Sequence, residues 1–310
     1  MTRLLACFGI AMIAAASAAA EDCVPSPWGA DDQVGNANLI TPTSVLAASS
    51  LIKQGKVYGL GITIDPNTPA FPPRSLALYV VQPGQQEGAR PLGPNTYNDD
   101  IFHGWFGIGS QIDGLGHLGT DGVYYNCNKA SDFAQLTGLT RLGIENVPPI
   151  VARGIVLDMA HHFGVEAMAA GQSFTVADVK SVVERQGTPI REGDVVLFHT
   201  GWTDAKLASE PTEWVSAEPG QSEEVAQYLA DAKVVAVGAD TWGLDVVPPS
   251  DPNRAFQGHV ILLKENGIYI LETMNTGQLV RDKAYEFLFV LGQAKVRGAV
   301  QMIINPIAIR

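Results

Sequence analysis

Residues 107–117 read G-I-G-S-Q-I-D-G-L-G-H and place an amide, a carboxylate and an imidazole within seven residues. The glycines among them have no use in an ordinary core strand. Gln111 and Asp113 are two apart, so an extended backbone sends both side chains to one face. His117 lies four beyond Asp113, ~13 Å away if the chain stays extended. Gly114 and Gly116 permit a tight return that brings the imidazole back toward the carboxylate. A strand end built this way presents a metal ligand and an acid/base group together. The same letters also read as a glycine-rich hairpin whose polar residues cap loops, and alone they do not separate the two readings.

A second cluster shifts the balance. Residues 258–272 read G-H-V-I-L-L-K-E-N-G-I-Y-I-L-E, with His259 before an apolar helical run and Glu272 closing a β-rich one. A glutamate ending a buried strand is costly unless it is paired, hydrogen-bonded or metal-bound. Together the clusters supply Asp, His, Glu and an amide oxygen, a ligand set for a divalent cation.

The surrounding chain reads as α/β. Apolar strand-like runs fall at 57–64, 76–81, 154–159, 195–199 and 234–237. Helices are expected from Thr41-Pro42 to about Gln54, at 175–185 with Thr175 as N-cap and Asp178 three later, and at 222–232. Continuous apolar strands alternating with helices favour a single α/β domain with a mostly buried mixed sheet. No repeat or interdomain linker breaks residues 21–310.

With these residues in place the chain resembles the metal-dependent cyclase-like hydrolases, a family that includes kynurenine formamidase and isatin hydrolase. Their hallmark is H-x-G-T-H-x-D-x-P-x-H, followed much later by a His and a Glu about a dozen residues apart. Asp113 and His117 stand at its Asp and last His, Gly109 and Ser110 at its Gly-Thr, and His259 and Glu272 at the downstream pair. Gly107 replaces the first histidine, Gln111 the second and Leu115 the proline. D-Q-V-G-N-A-N-L-I-T near the start, R-E-G-D-V-V-L-F-H-T-G-W at 191–202 and G-A-D-T-W-G-L-D at 238–245 extend the likeness. The resemblance implies a swivelling β/β/α fold, a homo-oligomer and hydrolysis of an amide, lactam or ester, as in an arylformamidase. It places Asp113, His259 and Glu272 as metal ligands, with Gln111 either a fourth ligand through its amide oxygen or a hydrogen-bond partner of a metal-bound water, and His117 as the proton-carrying catalytic base. Losing two histidines argues against two full zinc sites, so one divalent ion, manganese or zinc, is expected. A lactonase, a cyclase/dehydratase and an inactive binding protein are the alternatives; retention of His117 speaks against the last.

Composition bounds the partners. Hydrophobic residues make up 46% and charged residues 17%, which fits a compact enzyme rather than a disordered chain. A net charge of −12 offers no basic footprint for nucleic acid or anionic membrane, leaving a small-molecule substrate. Residues 1–20 look like a secretory signal: Arg3, an apolar stretch, then small residues through Ala20. The mature protein is then secreted or periplasmic. There Cys23 and Cys127 either join or remain two buried thiols.

The other candidates start from weaker positions. His103 reaches the site only if the chain folds back, and adjacent His161 and His162 point apart on a helix. His199 is a packed core imidazole or a donor behind the site. Trp202, Trp242, Phe106 and Tyr124 either line an aromatic pocket or belong to the core.

Overall fold

The computed structural model describes residues 23–82 and 95–310; the signal-like segment 1–20 lies outside them. A nine-stranded mixed sheet organises the chain. Its strands are β1 (Val57–Gly59), β4 (Gln111–Asp113), β5 (Ile150–Asp158), β6 (Val195–His199), β7 (Ala236–Ala239), β8 (Tyr269–Glu272), β9 (Glu286–Leu291), β10 (Gln301–Ile303) and β11 (Ile307–Ile309). A separate antiparallel hairpin pairs β2 (Leu76–Val81) with β3 (Asp99–Gly104). The sheet order is β1-β11-β9-β5-β6-β7-β8-β4-β10.

Four central strands, β5 to β8, run parallel. Val195, Val196, Leu197 and Phe198 of β6 are wholly buried, as the continuous apolar run predicts for a strand covered on both faces. Helices α1 (Pro42–Ser49), α2 (Val176–Gln186) and α3 (Glu223–Asp231) flank it. Thr175 and Asp178 form the predicted reciprocal cap of α2, and such a cap stabilises by about 1 kcal/mol. The arrangement is the expected single α/β domain with a mixed, buried sheet. No helix among the described residues is long and apolar enough to cross a membrane.

Three boundaries differ from the sequence reading. The strand expected over 57–64 stops at Gly59, because β11, with which it pairs, begins at Ile307. Leu60 then donates to the Pro306 carbonyl (2.8 Å), and Gly61 to the Asn305 side chain (3.0 Å). The first helix ends at Ser49 rather than near Gln54, and Gln54 and Lys56 instead donate to the Arg310 carbonyl. The motif strand is only three residues long. Gly109 takes φ +66° just before it, and the Ser110 hydroxyl donates to the Thr273 carbonyl (2.6 Å) while accepting from Ile62 N–H (2.9 Å).

β4 is antiparallel to both neighbours, and this positions the site. Gln111 pairs opposite Glu272 of β8, and Asp113 opposite Gln301 of β10. Directly opposed residues share a sheet face, as do Gln111 and Asp113 two apart. Two carboxylates and two amides from three strands are therefore placed side by side. A disulfide joins Cys23 to Cys127 with Cα atoms 5.1 Å apart, tying the N-terminal arm to the loop after the motif.

Candidate metal centre

One side-chain donor atom each from Asp113, His259 and Glu272 lies within 4.8 Å of the others, and all three residues are buried. His259 Nε2 stands 3.2 Å from Glu272 Oε1 and 3.7 Å from Asp113 Oδ2. Ligand bonds near 2.1 Å in a tetrahedral set put donors roughly 3.4 Å apart, so these three groups could hold a metal ion, although 3.2 Å is also the hydrogen-bond distance between His259 and Glu272. Asp113 Oδ2 is buried and has no hydrogen-bond partner among the described residues. A carboxylate oxygen left so costs several kcal/mol of desolvation unless a cation meets it. The donor set fits a divalent ion.

Each candidate ligand has a support. His259 enters from the short helix Gln257–His259, followed by the π-helical turn Val260–Glu265. Asp245 Oδ2 accepts from its backbone N–H (3.1 Å) and lies 3.0 Å from its Nδ1, which leaves Nε2 to face Asp113 and Glu272. A carboxylate behind a ligating imidazole fixes its tautomer and orientation. Gln301 Nε2 donates to Asp113 Oδ1 at 2.6 Å. Gln111 Nε2 donates to Glu272 Oε2 and, at 3.4 Å, to Asp113 Oδ1. Gln111 thus meets both carboxylates through its amide nitrogen.

The electrostatics follow from this crowding. Burial raises the Glu272 carboxyl, and the charge of Asp113 raises it further. Burial alone would push the His259 imidazole down, but its hydrogen bonds to Asp245 and Glu272 hold it well above the usual histidine range. Nearby Glu218 is also raised, by burial and then by Glu272, although it accepts from the backbone N–H groups of Trp242 and Gly243. A divalent cation binding here would compete with protons for these groups.

His117 completes the group. Its backbone N–H donates to the Gly114 carbonyl at 2.9 Å, closing the predicted return, and its Nε2 lies 3.8 Å from Asp113 Oδ2. The glycines act through close approach, since neither takes a positive φ. A Cβ on Gly114 would come within 2.8 Å of the Val300 carbonyl, and one on Gly116 within 2.5 Å of Leu139. Burial lowers the His117 pKa below its ordinary 6.5; Asp113 opposes this, while His259 and Arg74 add to it. A neutral imidazole beside the donor set is suited to accept a proton.

His117, His259 and Glu272 open onto a cavity of about 160 Å³ lined also by Phe71, Arg74, Trp242 and Phe256. Phe71 stacks on Trp242 (5.4 Å between ring centres), and Phe256 meets both edge-on. Of the four aromatic candidates, Trp242 alone lines this cavity. Trp202 is buried in a tryptophan cluster, Tyr124 packs on Phe133, and Phe106 stacks on Phe102. His199 is buried with Nδ1 on Thr276 Oγ1 (2.8 Å), His162 pairs with Asp178, and His103 is exposed on β3. Sequence reasoning missed Asp245, Gln301, Arg74, Phe71 and Phe256. Asp245 ends the quoted stretch 238–245 and carried a signal; the other four come from unremarkable segments.

Residues 58–246 match the family described as "Putative cyclase". The chain belongs to the cyclase family. A solved structure described as a novel cyclase is 30% identical, with a TM-score of 0.82, covering 91% of this chain and 98% of its own. Isatin hydrolase A from Labrenzia aggregata, bound to benzyl benzoate, has the same fold at 17% identity (TM-score 0.62; 86% and 96% covered). So does a potential metal-dependent hydrolase with cyclase activity, also at 17% identity (TM-score 0.52; 82% and 98% covered). No curated protein matches the chain.

Proposed function

We propose that this cyclase-family protein is a metal-dependent hydrolase that cleaves an amide, lactam or ester bond of a small molecule, arylformamidase-like in its chemistry. The observation that carries the reading is Asp113 Oδ2, without a hydrogen-bond partner among the described residues and set between His259 Nε2 and His117 Nε2 at 3.7 and 3.8 Å. Asp113, His259 and Glu272 hold one divalent ion, manganese or zinc. Bound there, the ion would polarise a carbonyl and lower the pKa of water toward ~7.

The chain's own residues supply the rest. Asp245 keeps His259 Nδ1 occupied, so that Nε2 is the ligating atom. Gln301 and Gln111 brace the carboxylates, and a 180° turn of the Gln111 amide would present its oxygen to the ion instead. His117 Nε2 takes the proton of the attacking water and returns it to the leaving nitrogen or oxygen. Phe71, Trp242 and Phe256 hold a flat apolar group beside the reacting carbonyl.

The Cys23–Cys127 disulfide supports export to an oxidising compartment, as the signal-like residues 1–20 suggest. Elemental analysis of purified protein, followed by assays on N-formyl amides, cyclic imides, esters and lactones, tests the proposal. Metal bound without turnover of any amide, lactam or ester would remove the hydrolase reading and favour a binding protein.

A further inference from the structure

Position 107, where the family hallmark carries its first histidine, is glycine, and the room a side chain would use there is taken. A Cβ on Gly107 would lie 2.8 Å from Arg74 Nη1, 2.9 Å from Arg74 Cζ and 2.7 Å from Gln301 Oε1. The Arg74 guanidinium instead donates from Nη1 to the Gly107 carbonyl at 2.9 Å. That is its one hydrogen bond among the described residues, and none of their carboxylates pairs with it within 4.0 Å. An arginine carries five N–H donors, so most of its fork is uncommitted. Arg74 lines the cavity shared by His117, His259 and Glu272, and also the narrow recess formed with Gln111, Trp214 and Trp242.

An uncommitted guanidinium beside a cage of aromatic rings is a receptor for a planar anion. Its fork matches a carboxylate in two parallel hydrogen bonds. We propose that Arg74 is a ligand-binding residue that clamps a carboxylate, so that the pocket takes a flat ring bearing one. This rests on the hydrolase reading, which supplies such a group when the cleaved acyl carbon belongs to the ring fragment: opening a ring-fused lactam or cleaving an aromatic ester leaves a carboxylate on it, whereas a formamide releases formate. Gly107 and Arg74 then form a matched pair, the glycine making room for the arginine. As a positioning and specificity residue Arg74 acts on ligand affinity, and it does not hold the metal.

The test uses benzoate and its neutral isostere benzamide, titrated calorimetrically into full-length protein of measured metal content. Wild type is expected to bind benzoate at least tenfold more tightly than benzamide. Arg74→Met should weaken benzoate about 10–100-fold, the size expected for losing charge-assisted hydrogen bonds, and leave benzamide within about twofold. Arg74→Lys should recover part of the loss, because a point charge replaces the fork. Gly107→Ala keeps the arginine but crowds it, and should weaken benzoate in the same direction. Comparing variants at equal metal content cancels the ion's own attraction for benzoate. Benzoate affinity unchanged in Arg74→Met, with wild-type metal content, would overturn the clamp. Wild-type protein that takes up no metal yet still prefers benzoate in an Arg74-dependent way would overturn the hydrolase reading and leave the clamp standing.

Discussion

Replacing His117 separates metal binding from chemistry. Its Nε2 lies 3.8 Å from Asp113 Oδ2, beyond hydrogen-bond distance, and it faces the cavity that His259 and Glu272 also line. Asp113, His259 and Glu272 form the donor cluster without it. His117→Asn should therefore keep metal content near wild type while removing the proton acceptor. Loss of a positioned general base costs on the order of 10²–10⁴-fold in rate, or roughly 3–5 kcal/mol of barrier. The loss should fall on kcat, because the remaining groups still bind the substrate.

The pH profile carries a second signature. Burial holds the His117 pKa below 6.5, so the imidazole is neutral at pH 7 and active as a base. Protonation on lowering the pH removes that base, so the wild-type acid limb should lie below pH 6.5. The limb should flatten or move in His117→Asn. Kinetics on a verified substrate, paired with elemental analysis, decide the matter. A variant that loses its metal makes His117 a ligand; one that keeps full kcat places the base elsewhere.

Other perturbations probe the supports. Asp245→Asn weakens the group behind His259 Nδ1 and should lower metal affinity about 10–100-fold, measured by competition with a chromophoric chelator. Unchanged affinity would mean that Asp245 does not orient the ligand. Because Asp245 and Glu272 hold the His259 proton above the usual range, metal uptake should release protons and weaken as pH falls, readable by calorimetry in buffers of different ionisation enthalpy. Gln111→His should add an imidazole beside Glu272 and shift preference toward zinc; equal preference and affinity would show that position 111 does not touch the ion.

The sheet was legible where burial imposes one pattern. The short apolar run Val195–His199, opened by two β-branched residues, read as a covered strand, and Thr175 with Asp178 announced the start of α2. Asp113, His117, His259 and Glu272 were legible because scarce polar groups interrupted glycine-rich or apolar stretches. Arg74 was not: it sits in a proline-flanked loop, and its proximity to Gly107 depends on how that loop folds back on the motif. Gln301 was hidden for a related reason, since only the antiparallel register of β10 puts it opposite Asp113. The antiparallel register of β8 likewise places Gln111 opposite Glu272, where its amide nitrogen donates to the carboxylate. The closing of the 114–117 return was anticipated, but for a different reason. Gly114 and Gly116 serve the close approach of Val300 and Leu139 rather than a left-handed backbone.

The metal stoichiometry of wild type beside Asp113→Ala bears most directly on the central claim. Elemental analysis of wild-type protein should find one manganese or zinc ion per chain. Asp113→Ala, which removes the buried unpartnered oxygen, should fall to near zero in both metal content and activity while remaining folded by circular dichroism. Full metal retention in folded Asp113→Ala would contradict the assignment of Asp113, His259 and Glu272 as the metal centre.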